Sequence, residues 1–281
     1  MKCACMLAAV TLALACSDHP ESSLIGVLPN EHECLSPPGF GEILRTRPER
    51  FLVFGEVHGT REAPTSFGHI VCEAAKQGQI VVALERPPAL TEAMQRFVDS
   101  DGGAEAEAAL LATVFDGSEY GLSSEGFLDL FKILQTLRAS GADLRVVAFQ
   151  GAVPAPSTDQ TAYERILAEH VLAAAARNPQ SRVLILVGNL HARRTPIPSS
   201  ASRAGFEPMV MHLPPGQVLS FDLRYGGGAA YNCTQDGCGA HRVAPHPDGN
   251  QRRVQLIQSD QFDGVWAIGA ISPAHPVGGA N

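Results

Sequence analysis

Three apolar segments of this sequence lead into side chains that can perform acid–base chemistry. Two of them end in the pattern Gly-x-x-His, at residues 55–58 and 188–191, and the third ends on a glutamate. The candidate residues are Glu56, His58, Glu85 and His191. Two carboxylates and two imidazoles in one crevice could hold a divalent metal, or could remove a proton from water as a general base.

These four side chains meet only if the apolar segments form neighbouring strands of one sheet. Residues 51–54, 80–84 and 183–187 are unbroken apolar runs, which is typical of parallel strands that are buried on both faces. Such sheets bind ligands at the carboxyl ends of their strands. Glycine at a strand end accepts a positive φ and lets the chain approach a ligand closely. We therefore expect the two motifs and the glutamate to converge at this edge.

The remaining periodicity places helices between these strands. Apolar spacing predicts helices at residues 65–76, 90–98, 104–114, 125–139 and 163–176. Further strands are predicted at residues 144–149, 210–212, 218–223, 254–259 and 265–271, with a flexible loop at 226–228. The sequence thus predicts an α/β fold, with a mainly parallel central sheet flanked by helices and partly antiparallel strands added at the C-terminal end.

The first residues match a secretory signal peptide over residues 1–15. A basic start is followed by an apolar stretch and a site of small residues before Cys16. Residues 12–16 approximate a lipobox, which would leave Cys16 as the lipid-modified first residue, although residues 13–15 fit ordinary Ala-x-Ala cleavage as well. We expect an exported protein of the bacterial cell envelope, either held at a membrane surface by a lipid at Cys16 or located in the periplasm.

Export permits disulfide bonds, and four cysteines remain once the three within residues 1–16 are set aside. Cys233 and Cys238 flank a turn-forming Asp-Gly, which predicts a hairpin closed by a disulfide. Cys34 and Cys72 then pair by elimination. A four-cysteine zinc site would need two close pairs, and Cys34 and Cys72 are too far apart in sequence to form one.

Length and charge limit the domain count and the class of partner. Without the signal peptide, roughly 260 residues remain, which is enough for one large α/β domain. We expect a tether and N-terminal arm at residues 16–50 and a single domain at 51–281. The net charge of −8 and the lack of a basic run give no electrostatic reason to bind nucleic acid. The expected partners are a small-molecule or peptide substrate, and a membrane only through the lipid.

Other candidates carry less weight than the four residues above. Glu62 and His69 follow the first motif, and Glu62 is expected to be an acidic residue at a helix start. Arg193 and Arg194, just after the second motif, could receive an anionic group of a substrate, with solvent exposure as the alternative. The sequence contains neither Gly-x-Ser-x-Gly nor His-Glu-x-x-His, which disfavours a serine hydrolase and a zincin.

The combination of motifs resembles a known superfamily. Residues 55–62, Glu85 and residues 188–192 resemble the signature of the Tiki/TraB/erythromycin-esterase superfamily, which also includes ChaN-like haem-binding lipoproteins. Residues 163–170 resemble the helix that precedes the second histidine motif in erythromycin-esterase-like members. The resemblance spans about residues 51–194, and residues 262–266 resemble the ending of further relatives.

The resemblance implies different chemistry for different members. Tiki-like proteins are metal-dependent peptidases, which would make His58, His191 and Glu85 ligands of Mn, Zn or Fe and Glu56 a further ligand or the general base. Erythromycin esterases activate water without needing a metal, which would make His58 the base, supported by Glu56 and Glu85. In a hydrolase of either kind, Asn189 could polarise the carbonyl of the substrate.

ChaN-like lipoproteins bind haem, often between two subunits, and the lipid anchor favours that branch. Residues 58–62 instead favour the esterase branch. The expected function is therefore an exported, lipid-anchored hydrolase of an amide or ester bond that uses a Glu/His site with a divalent metal. The alternative is a haem- or metal-binding uptake lipoprotein without turnover.

Overall fold

The computed structural model describes residues 34–118, 120–151, 159–200 and 204–278. The predicted signal peptide and Cys16, the predicted site of lipid modification, lie outside the described residues. Within the described part of the chain, every helix is too short or too polar to cross a membrane.

A sheet of eight strands forms the centre of the described fold. The strands are β1 (Phe51–Glu56), β2 (Ile80–Leu84), β3 (Leu144–Ala148), β4 (Arg182–Gly188), β5 (Val218–Thr234), β6 (Gly237–Val243), β7 (Val254–Leu256) and β8 (Gly264–Ile271). Their order is β3-β2-β4-β1-β5-β8-β7, and β6 pairs with β5 outside this path. Strands β1 to β5 and β8 are parallel, whereas β6 and β7 are antiparallel to their neighbours. This confirms the predicted mainly parallel α/β sheet.

Helices cover both faces of the sheet. They are α1 (Phe40–Thr46), α2 (Glu62–Ala75), α3 (Thr91–Val98), α4 (Ala104–Val114), α5 (Glu125–Ala139) and α6 (Gln160–Arg177). Short 3-10 helices form at Pro88–Leu90, Met209–His212 and Gly249–Gln251. Helix α6 packs on one face of the sheet and α1 to α5 pack on the other. Each face is therefore closed to water, as the unbroken apolar strands require.

The side chains of β1 alternate between two hydrophobic cores. Phe51 and Val53 pack with the α6 face, while Leu52 and Phe54 point into the larger core on the other side. Phe54 stacks on Phe221 of β5 with ring centroids 4.9 Å apart. This central strand ends at Glu56, so its packing fixes where the first histidine motif begins.

Two expectations about local structure are wrong. Residues 210–212 form part of a 3-10 helix rather than a strand, because Pro208 and Pro214 confine the apolar run to a short turn. Residues 226–228 lie within β5 rather than in a loop. Gly227 and Gly228 have φ of 97° and 132°, and β5 shifts register against β8 near them, so the glycines carry irregularities inside the strand.

The expected N-terminal arm contains helix α1, which the sequence analysis did not predict. Its residues Phe40, Ile43 and Leu44 are buried, at the spacing of one helical face. Both predicted disulfides are confirmed. Cys34 bonds to Cys72 on α2, and Cys233 bonds to Cys238 directly across the β5–β6 hairpin.

Candidate active site

The three strands that precede the site residues, β2, β4 and β1, are consecutive in the sheet. β4 lies between β2 and β1, and all three are parallel, so their carboxyl ends reach the same edge of the sheet. Leu84 of β2 is level with Leu186 of β4, and Glu56 of β1 is level with Gly188. Side chains that directly follow these residues therefore meet, as the sequence analysis expected.

His58 lies between two carboxylates. Its Nδ1 is 2.5 Å from Oε1 of Glu56, and its Nε2 is 3.5 Å from Oε2 of Glu85. The side chain of Glu56 is fully buried. The backbone N–H of Val57 donates a hydrogen bond of 2.7 Å to the hydroxyl of Tyr225, and burial raises the pKa of that hydroxyl well above its usual value. Tyr225 thus holds the turn between the two site residues.

Glu85 occupies the centre of the site. Its Oε2 accepts a hydrogen bond of 2.9 Å from the backbone N–H of Gly188, and its Oε1 lies 3.6 Å from Nε2 of His191. The two oxygens of one buried carboxylate therefore face the Nε2 atoms of two different imidazoles.

His191 has its own carboxylate partner, which the sequence analysis missed. Nδ1 of His191 is 2.7 Å from Oε2 of Glu164, a fully buried residue of α6. Glu164 also accepts hydrogen bonds from the backbone N–H of Met209 and the side-chain amide of Gln160, both at 2.8 Å. Leu167 and Val171 lie on the same buried stripe of α6. A glutamate at that spacing, among apolar positions, was the signal that could have found it.

The neighbouring charges settle the protonation of the site. Burial opposes a charge on His58, but Glu56 and Glu85 outweigh it and raise the pKa of His58 to about 10. Burial also opposes a charge on Glu85, but the two imidazoles and the N–H of Gly188 lower its pKa to about 2. The pKa of His191 is raised in the same manner, because Glu85 and Glu164 outweigh burial. Near neutral pH, the imidazolium of His58 therefore faces the carboxylate of Glu85, and the same carboxylate favours a charge on His191.

The glycines of the motifs serve close packing rather than an unusual φ. A Cβ on Gly188 would lie 3.3 Å from both Nε2 of His58 and Cδ2 of His191, and one on Gly55 would lie 2.7 Å from Cβ of Ala192. Neither Gly55 nor Gly188 has a positive φ, so that part of the expectation is wrong. Gly59 does, with φ of 85°.

The remaining candidates lie around the site with different roles. Asn189 follows Gly188 and is exposed, and its backbone N–H donates to the carbonyl of Glu56. Glu62 begins α2 and accepts hydrogen bonds of 2.6 and 2.8 Å from the hydroxyl and backbone N–H of Ser272. It therefore anchors the C-terminal segment. His69, on α2, is partly buried, and burial lowers its pKa.

The site contains the types of donor atom that bind a divalent metal, but these atoms are not arranged as a metal site. Imidazole Nε2 atoms backed by carboxylates on Nδ1 are typical of metal ligands. Among the described residues, however, no three His, Cys, Asp or Glu side chains are grouped as a metal site. Glu56 uses Oε1 for His58, and its Oε2 is buried without a hydrogen-bond partner in the described residues. The predicted metal set stays a prediction, and we derive no step through a metal.

Comparison with known proteins gives matches in structure. Neither a family model nor a curated protein sequence matches the chain. A variant of the erythromycin esterase EreC in its open conformation matches with 11% identity and a TM-score of 0.57, over 84% of this chain and 93% of that one.

Two further structures match over similar lengths. A protein from Bacillus cereus has 10% identity and a TM-score of 0.62, over 84% of this chain and 91% of its own. A succinoglycan biosynthesis protein has 10% identity and a TM-score of 0.58, over 83% and 90% of the two chains. At these identities the likeness concerns the fold: the chain shares its α/β architecture with the erythromycin esterase EreC and with the two other structures.

Proposed function

We propose that this protein hydrolyses an ester or amide bond, with Glu85 and the two imidazoles carrying out the proton transfers. The observation that carries the proposal is the position of Glu85. It faces Nε2 of His58 at 3.5 Å and Nε2 of His191 at 3.6 Å, while a buried carboxylate holds each ring at Nδ1. Base and acid thus lie side by side, with the base Glu85 deprotonated and the acid His58 protonated near neutral pH.

The reaction needs one group that accepts a proton and one that donates it. Glu85, ionised at neutral pH, accepts a proton from the attacking water as the oxygen of that water forms its bond to the carbonyl carbon. An imidazolium stabilises the negative charge on the carbonyl oxygen, and His58 donates its Nε2 proton to the leaving oxygen or nitrogen as that bond breaks. The protonated Glu85 then returns its proton to the neighbouring ring.

The carboxylates behind the rings orient them. Glu56 and Glu164 accept from Nδ1 of His58 and His191, so each ring presents Nε2 to the substrate and is stabilised when charged. General acid–base catalysis of this kind contributes about 10²- to 10⁴-fold in rate. The exposed amide of Asn189 at the rim is available to polarise the substrate carbonyl.

Hydrolysis of 4-nitrophenyl octanoate by the purified protein tests the proposal. We expect His58→Ala, His191→Ala and Glu85→Gln each to lower kcat by about 100-fold or more, because each removes a proton-transfer group. Circular dichroism and thermal unfolding should show a folded protein in each case. If both histidine variants unfold, or if all three keep wild-type turnover, the site does not catalyse this reaction.

Treatment with a chelator distinguishes a site that works through its side chains alone from a site that needs a bound metal. With acid and base supplied by the side chains, we expect turnover to survive dialysis against a chelator. A loss of turnover that stoichiometric Mn, Zn or Fe restores would instead assign His58, His191 and Glu85 to a metal centre.

Haem binding without turnover is the alternative that the sequence resemblance implies. Both imidazoles are engaged, at Nδ1 by a carboxylate and at Nε2 by the charge of Glu85, so we expect no shift of the Soret band on adding haem. A shift that is present in the wild type and lost in His58→Ala would favour a haem-binding protein instead.

We propose further that the protein is exported and held at a membrane by a lipid on Cys16. The signal-like residues 1–16 support this, as do the two disulfides, since such bonds persist in oxidising compartments. Labelling of expressing bacteria with radioactive palmitate should mark the wild type and not Cys16→Ala. Equal labelling of the wild type and Cys16→Ala, or labelling of neither, would contradict the proposed lipid anchor at Cys16.

A further inference from the structure

Arg193 and Arg194 follow the second histidine motif and Arg224 lies on β5, and the three arginines have different partners. Nη1 of Arg194 is 2.6 Å from Asp263, and Nη1 of Arg224 is 2.9 Å from Asp248. Arg193, by contrast, forms no ion pair with any described residue. Its Nε is buried without a hydrogen-bond partner, and its Nη2 reaches only the hydroxyl of Thr195, at 3.4 Å.

The backbone around Arg193 places it at the rim of the site. The hydroxyl of Ser220 on β5 donates a hydrogen bond to the carbonyl of Ala192, and Ala192 packs against Gly55 of β1. The chain after His191 thus crosses β1 and reaches β5. The segment that carries Arg193 thus lies toward β5, whereas Glu85 follows β2, and the strand order is β2-β4-β1-β5.

The surroundings of Arg193 are poorly hydrated. Burial raises the pKa of Asp222, the β5 residue level with Gly55, even though Arg224, His246 and Arg193 favour its charge. Asp222 has Arg224 as its ion-pair partner at 3.5 Å. A guanidinium that is partly buried here, with donors left unused, loses hydration without regaining hydrogen bonds.

We infer that Arg193 binds a carboxylate carried by the substrate, at a subsite one strand beyond His58. The inference rests on the proposed hydrolase function and names the class of its substrate. A carboxylate would supply the hydrogen bonds that Arg193 lacks, in the geometry that a guanidinium favours. Nε of Arg224 also lacks a hydrogen-bond partner, but it lies 3.5 Å from Oδ2 of Asp222 in an ion pair. Arg194 and Arg224 thus each have a carboxylate partner, and Arg193 is the arginine of this group without one among the described residues.

The strand spacing sets the length of such a substrate. Neighbouring strands are about 4.8 Å apart. A subsite beside β5 therefore lies about 5 Å from the end of β1, which precedes His58, and about 14 Å from the end of β2, which precedes Glu85. The end of β4, which precedes His191, lies between these limits. An acyl chain that ends in a carboxylate at this distance fits, and so does a peptide of roughly two to four extended residues. The inferred substrate is therefore an extended ester or amide with an anionic end.

Two esters that differ only at the end of the acyl chain test the inference. We compare kcat/KM for the 4-nitrophenyl hemiester of suberic acid, which ends in a carboxylate, with that for 4-nitrophenyl octanoate. We expect the wild type to prefer the hemiester by about 10-fold or more, from the strength of a charged hydrogen bond. Arg193→Ala should abolish this preference by raising KM for the hemiester. Arg194→Ala should keep the preference.

Binding of suberate itself separates this inference from the proposed hydrolysis. Titration calorimetry should detect suberate binding to the wild type and to Arg194→Ala, and not to Arg193→Ala. Binding that depends on Arg193, without turnover of either ester, would overturn the hydrolase and keep the subsite. Turnover with an equal preference in the wild type and Arg193→Ala, or an equal loss in both arginine variants, would overturn the subsite.

Discussion

Oε2 of Glu164 lies 2.7 Å from Nδ1 of His191, which repeats the relationship between Glu56 and His58 on the other side of Glu85. Five side chains from four elements or their ends thus alternate as carboxylate and imidazole. Each outer carboxylate holds a ring, and the central one faces both rings. Glu164 is therefore a positioning residue for His191.

Replacing Glu164 by glutamine should lower kcat by about 10- to 100-fold, as expected when the group that orients a functional histidine is changed. The amide keeps an acceptor for the N–H of Met209, so the protein should stay folded. Steady-state kinetics checks this, with Glu169→Gln, on the exposed face of the same helix, as control. Equal kcat in the two variants would contradict the role of Glu164.

A methyl group on Gly188 should disturb the site more than the fold. The added Cβ of Gly188→Ala would lie 3.3 Å from both imidazoles, and displacing them should lower kcat/KM by about 100-fold. Alanine in a strand is favoured over glycine by roughly 0.5–1 kcal/mol, so the free energy of unfolding should change little. Gly239→Ala, where nothing lies within 4 Å, is the matched control. Unchanged kinetics in Gly188→Ala would show that the rings tolerate the methyl group.

Activity and stability should share their pH limits. Since the pKa of His58 rises from 6.5 to about 10 on folding, its stabilising contribution is complete below pH 6.5 and is lost as the pH rises through 10. The pKa of Glu85 falls from 4.5 to about 2, so its contribution is present above pH 4.5 and is lost as the pH falls through 2. The acid–base pair is thus ionised between these limits.

Profiles of kcat/KM and of urea unfolding against pH check this. We expect the alkaline decline of both quantities near pH 10, and His58→Gln should lack the alkaline loss of stability. An alkaline decline of activity near pH 6.5 would mean that the carboxylates do not hold His58 in its charged form.

The two disulfides should differ in their contribution to stability. They close loops of different length, with sequence separations of 38 for Cys34–Cys72 and 5 for Cys233–Cys238. The chain-entropy model assigns them about 4 and about 2 kcal/mol. Urea unfolding of the two double serine variants should therefore show the larger loss for the Cys34/Cys72 pair. The opposite order would show that strain or residual structure outweighs loop entropy.

Sequence alone predicted that four side chains would meet, because buried parallel strands have a recognisable apolar pattern. These side chains are Glu56, His58, Glu85 and His191. An unbroken apolar run indicates burial on both faces, and the carboxyl ends of parallel strands share one edge. No knowledge of the strand order was needed beyond the three runs being neighbours. Helix boundaries followed equally well where apolar spacing was strong, as at Glu125–Ala139.

Features that depend on tertiary contacts were not predictable in the same way. Glu164 is a polar residue on an apolar stripe, and only its contact with His191 distinguishes it from an exposed glutamate. The glycines of β5 look like a loop in sequence, yet pairing with β6 and β8 holds Gly228 in a strand. Likewise, the sequence gives no reason to distinguish Arg193 from Arg194, and only the ion pair of Arg194 with Asp263 does so.

The two cystine bridges have a practical consequence for anyone preparing the protein. Recombinant material made in a reducing cytosol, or kept in dithiothreitol, would lack the covalent tie between Cys34 and α2 and the closed tip of the β5–β6 hairpin. The backbone N–H of Tyr231 in that hairpin donates a hydrogen bond to the carbonyl of Gly59, the residue next to His58. Reductant-containing buffers would therefore assay a differently tethered molecule, and oxidative secretion is the route to the one described.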